Sequence, residues 1–567
     1  MEAFSDIIIS AARWVLPVLS VWLLARCMAS MLREKYEPEL WAWLETSGGE
    51  TAAIRHWECI IGRAKGCDIV IDREELAPRH AALIRDSRGV WTLYSLAGGD
   101  ALSVGGRRDE GDGITVATGD KITLAGEKVV FRDLSEKQIE AAEALRSEAG
   151  GYIRPGVTLF LLTVIQLLLV LEFSVYAETE YVLPIALSFA ALIAAQWCYF
   201  LLMRAINRSG FEPETLAFYL STLGLAVAAG AAPEDMLKQL LLLFAGIFTF
   251  IVIGWFLRDL GRAKAMRWPV GIAAAALLAL NVLMGETVYG ATNWISIGGV
   301  TLQPSEFVKV AYVWVGAATL DRLFRSRNLF FFIGFSAAIV GALALMGDFG
   351  SAVVFFAAFL IISFMRSGSF ATVFLAIASA VLAGFLVLTV KPYIATRFAA
   401  WGHIWDDPWD SGWQQTRALS AAASGGLLGV GAGNGWLKDI FAADTDLVFC
   451  LLCEELGLIV AFCAMLALLA LTFFAVRNAA QGRSSFFVIA AVASAAIMLA
   501  QLALNVFGCV DILPFTGVTF PFVSRGGSSL ISCWGLLAFI KASDTRRGGS
   551  FTVRLPVREA HRRRSEK

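Results

Sequence analysis

Charge is scarce in this chain. Its 567 residues hold 47 Lys and Arg against 48 Asp and Glu, 17% in all, for a formal net charge of −1. That balance excludes the basic footprint of a nucleic-acid-binding domain, so no nucleic-acid partner is expected. Cysteine is sparse as well. The nine are scattered, Cys198, Cys463 and Cys533 fall inside apolar runs, and none shows metal-ligand spacing, so they read as small apolar residues and not as a disulfide or zinc framework. Also missing is any Lys or Arg ahead of the first apolar run, Ile7 to Leu32, where Glu2 and Asp6 stand instead. Arg26, Arg33 and Lys35 at its far end outweigh Arg13 near its start. The run therefore reads as a retained anchor with its N-terminus outside, not as a cleaved secretory signal.

Apolar residues are abundant. The chain is 57% hydrophobic, with 40 Phe, 17 Trp and a mean hydropathy of +0.66, too apolar for a soluble multidomain protein of this length. After the anchor (1–35) comes a polar region, 36–135, whose alternation and Gly/Asp turns, as in Cys67-Asp68-Ile69-Val70-Ile71 and Lys121-Ile122-Thr123-Leu124, predict a small all-β domain. The charged segment Ser135 to Ala149, ending in Gly150-Gly151, predicts a linker (136–156) into a membrane portion at 157–542, and a basic tail, 543–567, follows as a membrane-surface anchor.

Runs of about twenty apolar residues fall near 157–176, 181–203, 213–231, 237–257, 268–285, 304–323, 328–346, 350–365, 370–390, 446–476, 485–508 and 527–542. The fold class expected is thus a multispan α-helical membrane protein of about thirteen transmembrane helices with an embedded small cytoplasmic all-β domain. Lys and Arg mark cytoplasmic loops. Arg204/Arg208, Arg258/Arg262/Lys264/Arg267, Arg322/Arg325/Arg327, Arg366, Arg477/Arg483 and Lys541/Arg546/Arg547 occupy every second loop, while Glu178/Glu180, Glu234/Asp235, Glu286, Asp348 and the acidic 391–445 segment occupy the others. The two patterns agree in placing the β-domain and the C-terminus in the cytoplasm and the 391–445 segment outside.

That outer segment contains Trp405-Asp406-Asp407-Pro408-Trp409-Asp410-Ser411-Gly412-Trp413-Gln414, carboxylates at a membrane surface, where ionisable groups are retained for pairing, cavity lining or chemistry. Other motifs follow the same outward logic: Asn293-Trp294-Ile295 leading to Gln303-Pro304-Ser305-Glu306-Phe307-Val308-Lys309; Gly347-Asp348-Phe349-Gly350; Ser424-Gly425-Gly426; Thr445-Asp446-Leu447; Glu454-Glu455-Leu456-Gly457; and Leu513-Pro514-Phe515-Thr516-Gly517 running to Ser524-Arg525-Gly526-Gly527-Ser528-Ser529. In this order they resemble the SEDS family of shape, elongation, division and sporulation proteins, such as FtsW, RodA and SpoVE, over roughly 213–542. Asn293 and Arg525 depart from the family pattern, which has an arginine and an aromatic there.

The resemblance implies a peptidoglycan glycosyltransferase that polymerises lipid II outside the cytoplasmic membrane beside a class B penicillin-binding protein, during division or elongation. Asp407 matches the family's catalytic aspartate and would be the general base of an inverting transfer; as a bare residue pair, Asp407-Pro408 also suits a turn. Glu306 and Lys309, one helical turn apart, form a structural pair or contact the pyrophosphate. Asp348 contacts substrate or a metal, or caps a helix. Gln414, Ser524, Arg525 and Ser528 complete the substrate-binding set, with the Gly/Ser loop also readable as close helix packing. Lys391, Arg397, Arg417 and Arg525 are the outer cations available to the leaving group, and Glu454 and Glu455 are expected to line a cavity. A divalent cation, magnesium or manganese, would suit a departing pyrophosphate, although no ligand cluster marks it. A lipid II flippase and a non-catalytic morphogenesis scaffold are the alternatives.

The β-domain resembles a forkhead-associated (FHA) sandwich through Gly62-Arg63-Ala64-Lys65-Gly66, Pro78-Arg79-His80-Ala81 and Leu102-Ser103-Val104-Gly105-Gly106. Arg63 keeps that family's phosphate-side arginine, but Ala77, Pro78 and Gly105 replace its other donors. Weak or absent phosphothreonine binding is expected, with a cytoplasmic partner docking instead and His80 serving as a core residue.

Overall fold

The computed structural model describes residues 2–550 apart from 34–39, 47, 87–88, 98–101, 109–112, 136, 139–140, 142–152, 209, 289–290, 298–299, 321–325, 368, 391–400, 483 and 547–548. Most of the linker, most of the basic tail, Lys391 and Arg397 lie outside the described residues.

Helix α1 (Glu2–Arg33) leads into the β-domain. Strands β1 (Ala42–Thr46), β2 (Thr51–Ile54), β7 (Leu102–Val104), β8 (Arg107–Arg108), β10 (Lys121–Leu124) and β11 (Glu127–Asp133) form one sheet in the order β2-β1-β11-β10-β7-β8. The facing sheet runs β4-β3-β5-β6-β9, from Glu58–Gly62 (β3), Ile69–Val70 (β4), Ala81–Arg85 (β5), Trp91–Ser95 (β6) and Ile114–Val116 (β9). Alternate residues of both sheets, among them Leu44, Ile61, Leu83, Leu93 and Ile122, point inward, and Trp91 meets Phe131 edge-on at 5.6 Å in the core. His80 is buried there and its Nδ1 accepts the Ala77 N–H at 3.4 Å.

The rest is helical: α2 (Pro155–Tyr176), α3 (Thr179–Ala205), α4 (Glu212–Ala231), α5 (Met236–Leu257), α6 (Leu260–Ala265) and α7 (Arg267–Met284) come first. Then follow α8 (Pro304–Leu320), α9 (Ser326–Met346), α10 (Phe349–Ser367), α11 (Phe370–Val390), α12 (Trp413–Gly425), α13 (Val448–Glu455), α14 (Leu458–Ala479), α15 (Ser485–Cys509) and α16 (Gly527–Ala542). Among the described residues nine helices are long and apolar enough to cross a membrane; Phe349–Met365, Phe370–Leu382 and Gly527–Ala542 are shorter apolar stretches. The expected span at 304–323 is the 17-residue α8.

Two local expectations change. The apolar run 446–476 is not one helix, because Gly457 at φ +87 breaks it into α13 and α14; a Cβ there would stand 2.4 Å from the Leu427 carbonyl. The stretch after α7, expected as an outward-facing loop, pairs into a meander of β12 (Glu286–Val288), β13 (Ala291–Ile297) and β14 (Val300–Leu302).

α4 is the most enclosed span, packed by α1, α2, α5, α14 and α16. At its start a buried polar network joins four elements. Arg546 Nη2 bonds Glu212 at 2.9 Å and Asp544 at 2.8 Å, Ser30 Oγ of α1 donates to Glu212 at 2.6 Å, and Lys541 lies 3.1 Å from Glu214, which also accepts the Tyr199 hydroxyl. The sandwich contacts this same end of the helical body. Glu58 accepts Ser484 Oγ at 3.0 Å and the Ser485 N–H at 2.8 Å, where α15 begins, and His56 Nδ1 lies 2.8 Å from the Gly482 carbonyl. Twenty-five residues later, about 37 Å along at 1.5 Å per residue, α15 ends beside the Asp407 loop.

Candidate functional site

The loop 401–412 folds on itself before α12 starts. Gly412 donates to the Asp407 carbonyl at 3.0 Å and lies so close to Ile404 that a Cβ would meet its carbonyl oxygen at 2.0 Å, so only glycine closes the loop. Asp407 is exposed, and its carboxylate makes no hydrogen bond to any described residue. A carboxylate held on a closed loop and left open to solvent can take a proton from an incoming hydroxyl. Its neighbour Asp406 lies 3.2 Å from His403 Nδ1. Arg417, one turn into α12, lies over the rings of Trp409 and Trp413 at 4.8 Å and 4.3 Å, which sets a cation beside the loop. Gln414 donates to the Phe441 carbonyl at 3.0 Å and thereby ties the loop to the next segment.

The start of α8 holds a buried ion pair. Proline in the first turn opens α8, and three residues apart Lys309 Nζ donates to Glu306 Oε1 at 2.6 Å with both side chains at most 3% exposed. The other carboxylate oxygen accepts Ser532 Oγ of α16 at 3.0 Å. Asp348 is buried at the start of α10, its Oδ1 accepting the Ser351 N–H at 2.9 Å in a helix-capping arrangement. Burial pushes its carboxyl above the usual range, while the Ser351 bonds and the Lys309 charge pull the other way.

The Gly/Ser loop is a junction. Ser528 accepts the Gln303 N–H at 3.0 Å, joining the starts of α8 and α16, and Ser524 Oγ accepts the Phe520 N–H at 2.8 Å and donates to the Thr445 carbonyl at 2.5 Å. Arg525 pairs with Asp235 at 2.7 Å and with Asp444, clamping three loops, so its guanidinium is already engaged by two carboxylates. Of Lys391, Arg397, Arg417 and Arg525, Arg417 is the described one that stays at the Asp407 loop. Glu454 and Glu455 are buried too. Glu454 accepts the Trp436 and Leu437 N–H groups at 3.0 Å and 2.9 Å, and Glu455 accepts that of Gly433 at 2.9 Å, so both hold the glycine-rich 429–437 loop.

Sequence reading missed Asn505 of α15. Its amide donates to the Asp446 carbonyl at 3.0 Å and to the Val518 carbonyl at 2.8 Å, fastening two loops to one helix. A lone asparagine in an apolar run was the available signal. Among the described residues no group of three or more His, Cys, Asp or Glu stands close enough to hold a metal ion.

Because Asp406 already faces His403, Asp406→Asn and Asp410→Asn are each expected to lower activity by less than about tenfold, below the 10²–10⁴ that a general base contributes. A loss at Asp406 as deep as at Asp407, in the same assay, would mark a carboxylate pair instead.

Exposed acidic loop, buried ion pair and helices of spanning length, with a β-sandwich at the far end, define a multi-pass membrane protein whose candidate site lies at the end of α15 opposite the sandwich. The FtsW/RodA/SpoVE family profile, described as cell cycle protein, matches residues 216–547, and the chain belongs to that family. An FHA domain profile matches residues 59–125. "Probable peptidoglycan glycosyltransferase FtsW" of Borreliella burgdorferi is 30% identical over 359 residues, 60% of this chain and 94% of that protein. The protein of the same name from Buchnera aphidicola is 32% identical over 270 residues, 46% and 68% respectively. "Peptidoglycan glycosyltransferase RodA" of Mycobacterium tuberculosis is 27% identical over 323 residues, 53% and 69%. Among solved structures, a chain of a peptidoglycan synthase complex is 24% identical, with a TM-score of 0.48 over 58% of this chain and 96% of that one.

Proposed function

We propose that this peptidoglycan glycosyltransferase polymerises lipid II at the outer face of the cytoplasmic membrane, with Asp407 as general base. The observation that carries the reading is the placement of Asp407 on a closed, solvent-open loop at the end of α15 opposite the sandwich. With the lysine- and arginine-rich loops cytoplasmic, the sandwich and the C-terminus lie inside, and the N-terminus and the loop outside.

The acceptor sugar hydroxyl gives its proton to Asp407 as its oxygen bonds to the anomeric carbon of the donor. The anomeric carbon–oxygen bond to the lipid pyrophosphate breaks in the same displacement and inverts the configuration. Arg417 is the cation beside this step, offsetting charge on the departing pyrophosphate. Gln414, Ser524, Ser528 and Arg525 shape the substrate groove by joining its loops, Asp348 by capping α10, and Glu306 with Lys309 forms its floor. Among the described residues no three His, Cys, Asp or Glu side chains converge on a divalent cation, so a cation at the pyrophosphate would draw most of its ligands from the substrate and water.

A class B penicillin-binding protein would cross-link the emerging strands. The test is incubation of the purified chain with labelled lipid II, with and without that partner, and separation of products by length. Glycan strands are expected in at least the paired reaction; unreacted lipid II in both would reject the proposal.

The FHA domain serves a cytoplasmic partner without phosphothreonine recognition. Arg63 is exposed and its Nη1 reaches the Glu74 carbonyl at 3.4 Å, while the Arg63 and Ala64 N–H groups are taken by the Ala77 and Pro78 carbonyls. The 77–78 segment thus faces the phosphate side with a methyl and a proline ring, whereas phosphate needs several converging donors. Titration of the full chain with phosphothreonine peptides is expected to give a Kd weaker than about 0.1 mM, or less than about 6 kcal/mol of binding. Low-micromolar affinity abolished by Arg63→Ala would restore phosphopeptide recognition.

A further inference from the structure

α15 closes in a turn of the Schellman type. The Ile512 N–H bonds the Phe507 carbonyl at 2.9 Å and the Asp511 N–H reaches that of Gly508 at 3.4 Å. The residue between such bonds is ordinarily glycine, because it sits in the left-handed region, yet here Asp511 adopts φ +58. Its side chain shows what the aspartate adds. Both carboxylate oxygens accept the Gly402 N–H, each at 3.1 Å. Next to it the Trp401 indole N–H donates to the Ile512 carbonyl at 3.1 Å, and beyond the loop Gln415 Nε2 donates to the Gly508 carbonyl at 3.3 Å. One helix end therefore grips the chain immediately before and immediately after the segment that carries Asp407. Since Gly412 and Asp407 close that segment internally, it moves as a unit and its placement is decided at these two ends.

We infer that Asp511 is a positioning residue for glycosyl transfer: through Gly402 it sets where the Asp407 carboxylate stands relative to the acceptor hydroxyl. The inference rests on the assignment of Asp407 as base. A misplacement of about 1 Å at a reacting group can lower a rate by about a hundredfold, so a residue that never touches substrate can govern turnover.

The test uses the full chain with Asp511→Gly, Asp511→Asn and Asp407→Asn in parallel. Glycine suits the turn at least as well as aspartate but removes the acceptor, so a role confined to ending α15 predicts an unchanged or raised melting temperature and an unchanged kcat. Positioning predicts a kcat about tenfold or more lower, an unaltered KM and melting temperature, and faster hydrogen exchange across 401–412. Asparagine tolerates the left-handed region and keeps one acceptor oxygen, so Asp511→Asn recovers most of the rate. Wild-type kcat in Asp511→Gly, with Asp407→Asn inactive, overturns the inference. If Asp407→Asn stays active, the base assignment falls instead, and exchange across 401–412 alone decides whether Asp511 holds the loop: unaltered exchange overturns that as well.

Discussion

Lys309→Met is expected to destabilise the helical body by about 3–5 kcal/mol, the usual result of removing one partner from a buried ion pair. Lys309 and Glu306 are both almost fully buried at 2.6 Å, and without the ammonium the Glu306 carboxylate keeps the Ser532 hydroxyl alone. A lone hydroxyl does not offset an unpaired charge in an apolar interior. The double variant Lys309→Met with Glu306→Gln removes both charges, leaves an acceptor for Ser532, and is expected to regain most of the lost stability. Thermal unfolding of the purified proteins checks both statements; equal melting of wild type and Lys309→Met would contradict them. Glycan synthesis by the double variant then separates the two roles of the pair. Activity recovered together with the fold assigns it to architecture, and a folded but inactive protein assigns it to the substrate.

Asp407→Asn is expected to reduce polymerisation by at least the 10²–10⁴ attributed to a general base, while leaving expression and unfolding as in wild type. The side chain is exposed and makes no hydrogen bond to a described residue, so its amide isostere disturbs no packing. The loop's internal closure runs through the Asp407 carbonyl, which the substitution leaves in place. Asparagine therefore isolates proton affinity from geometry. A variant that unfolded early would show that the carboxylate has a structural partner, and one that polymerised normally would remove Asp407 from the chemistry.

The parts of this architecture that depend on neighbours in the chain were legible beforehand. Glu306 and Lys309 meet because three residues make one helical turn, and the Asp407 loop announced itself by placing acids and tryptophans between apolar runs. Contacts across long separations were not legible. Ser532 reaches Glu306 across 226 positions, Asp511 reaches Gly402 across 109, and Glu58 of the sandwich reaches Ser485 across 427. Hydropathy also fails where one apolar run holds two helices, since Gly457 changes backbone direction without changing polarity. Arg525 illustrates a further limit. Its position in the glycine-rich loop suggested a free cation, and only the fold brings Asp235 and Asp444 against it.

Glycan synthesis in vesicles most directly tests the central claim. Purified chain and its class B penicillin-binding partner would be reconstituted with labelled lipid II, products separated by length, and lipid II transfer between leaflets followed in the same vesicles, for wild type and Asp407→Asn. The account predicts strands of many disaccharides from wild type and none from Asp407→Asn. Lipid II that changes leaflet without being joined, to the same extent in both proteins, would contradict it and identify a transporter.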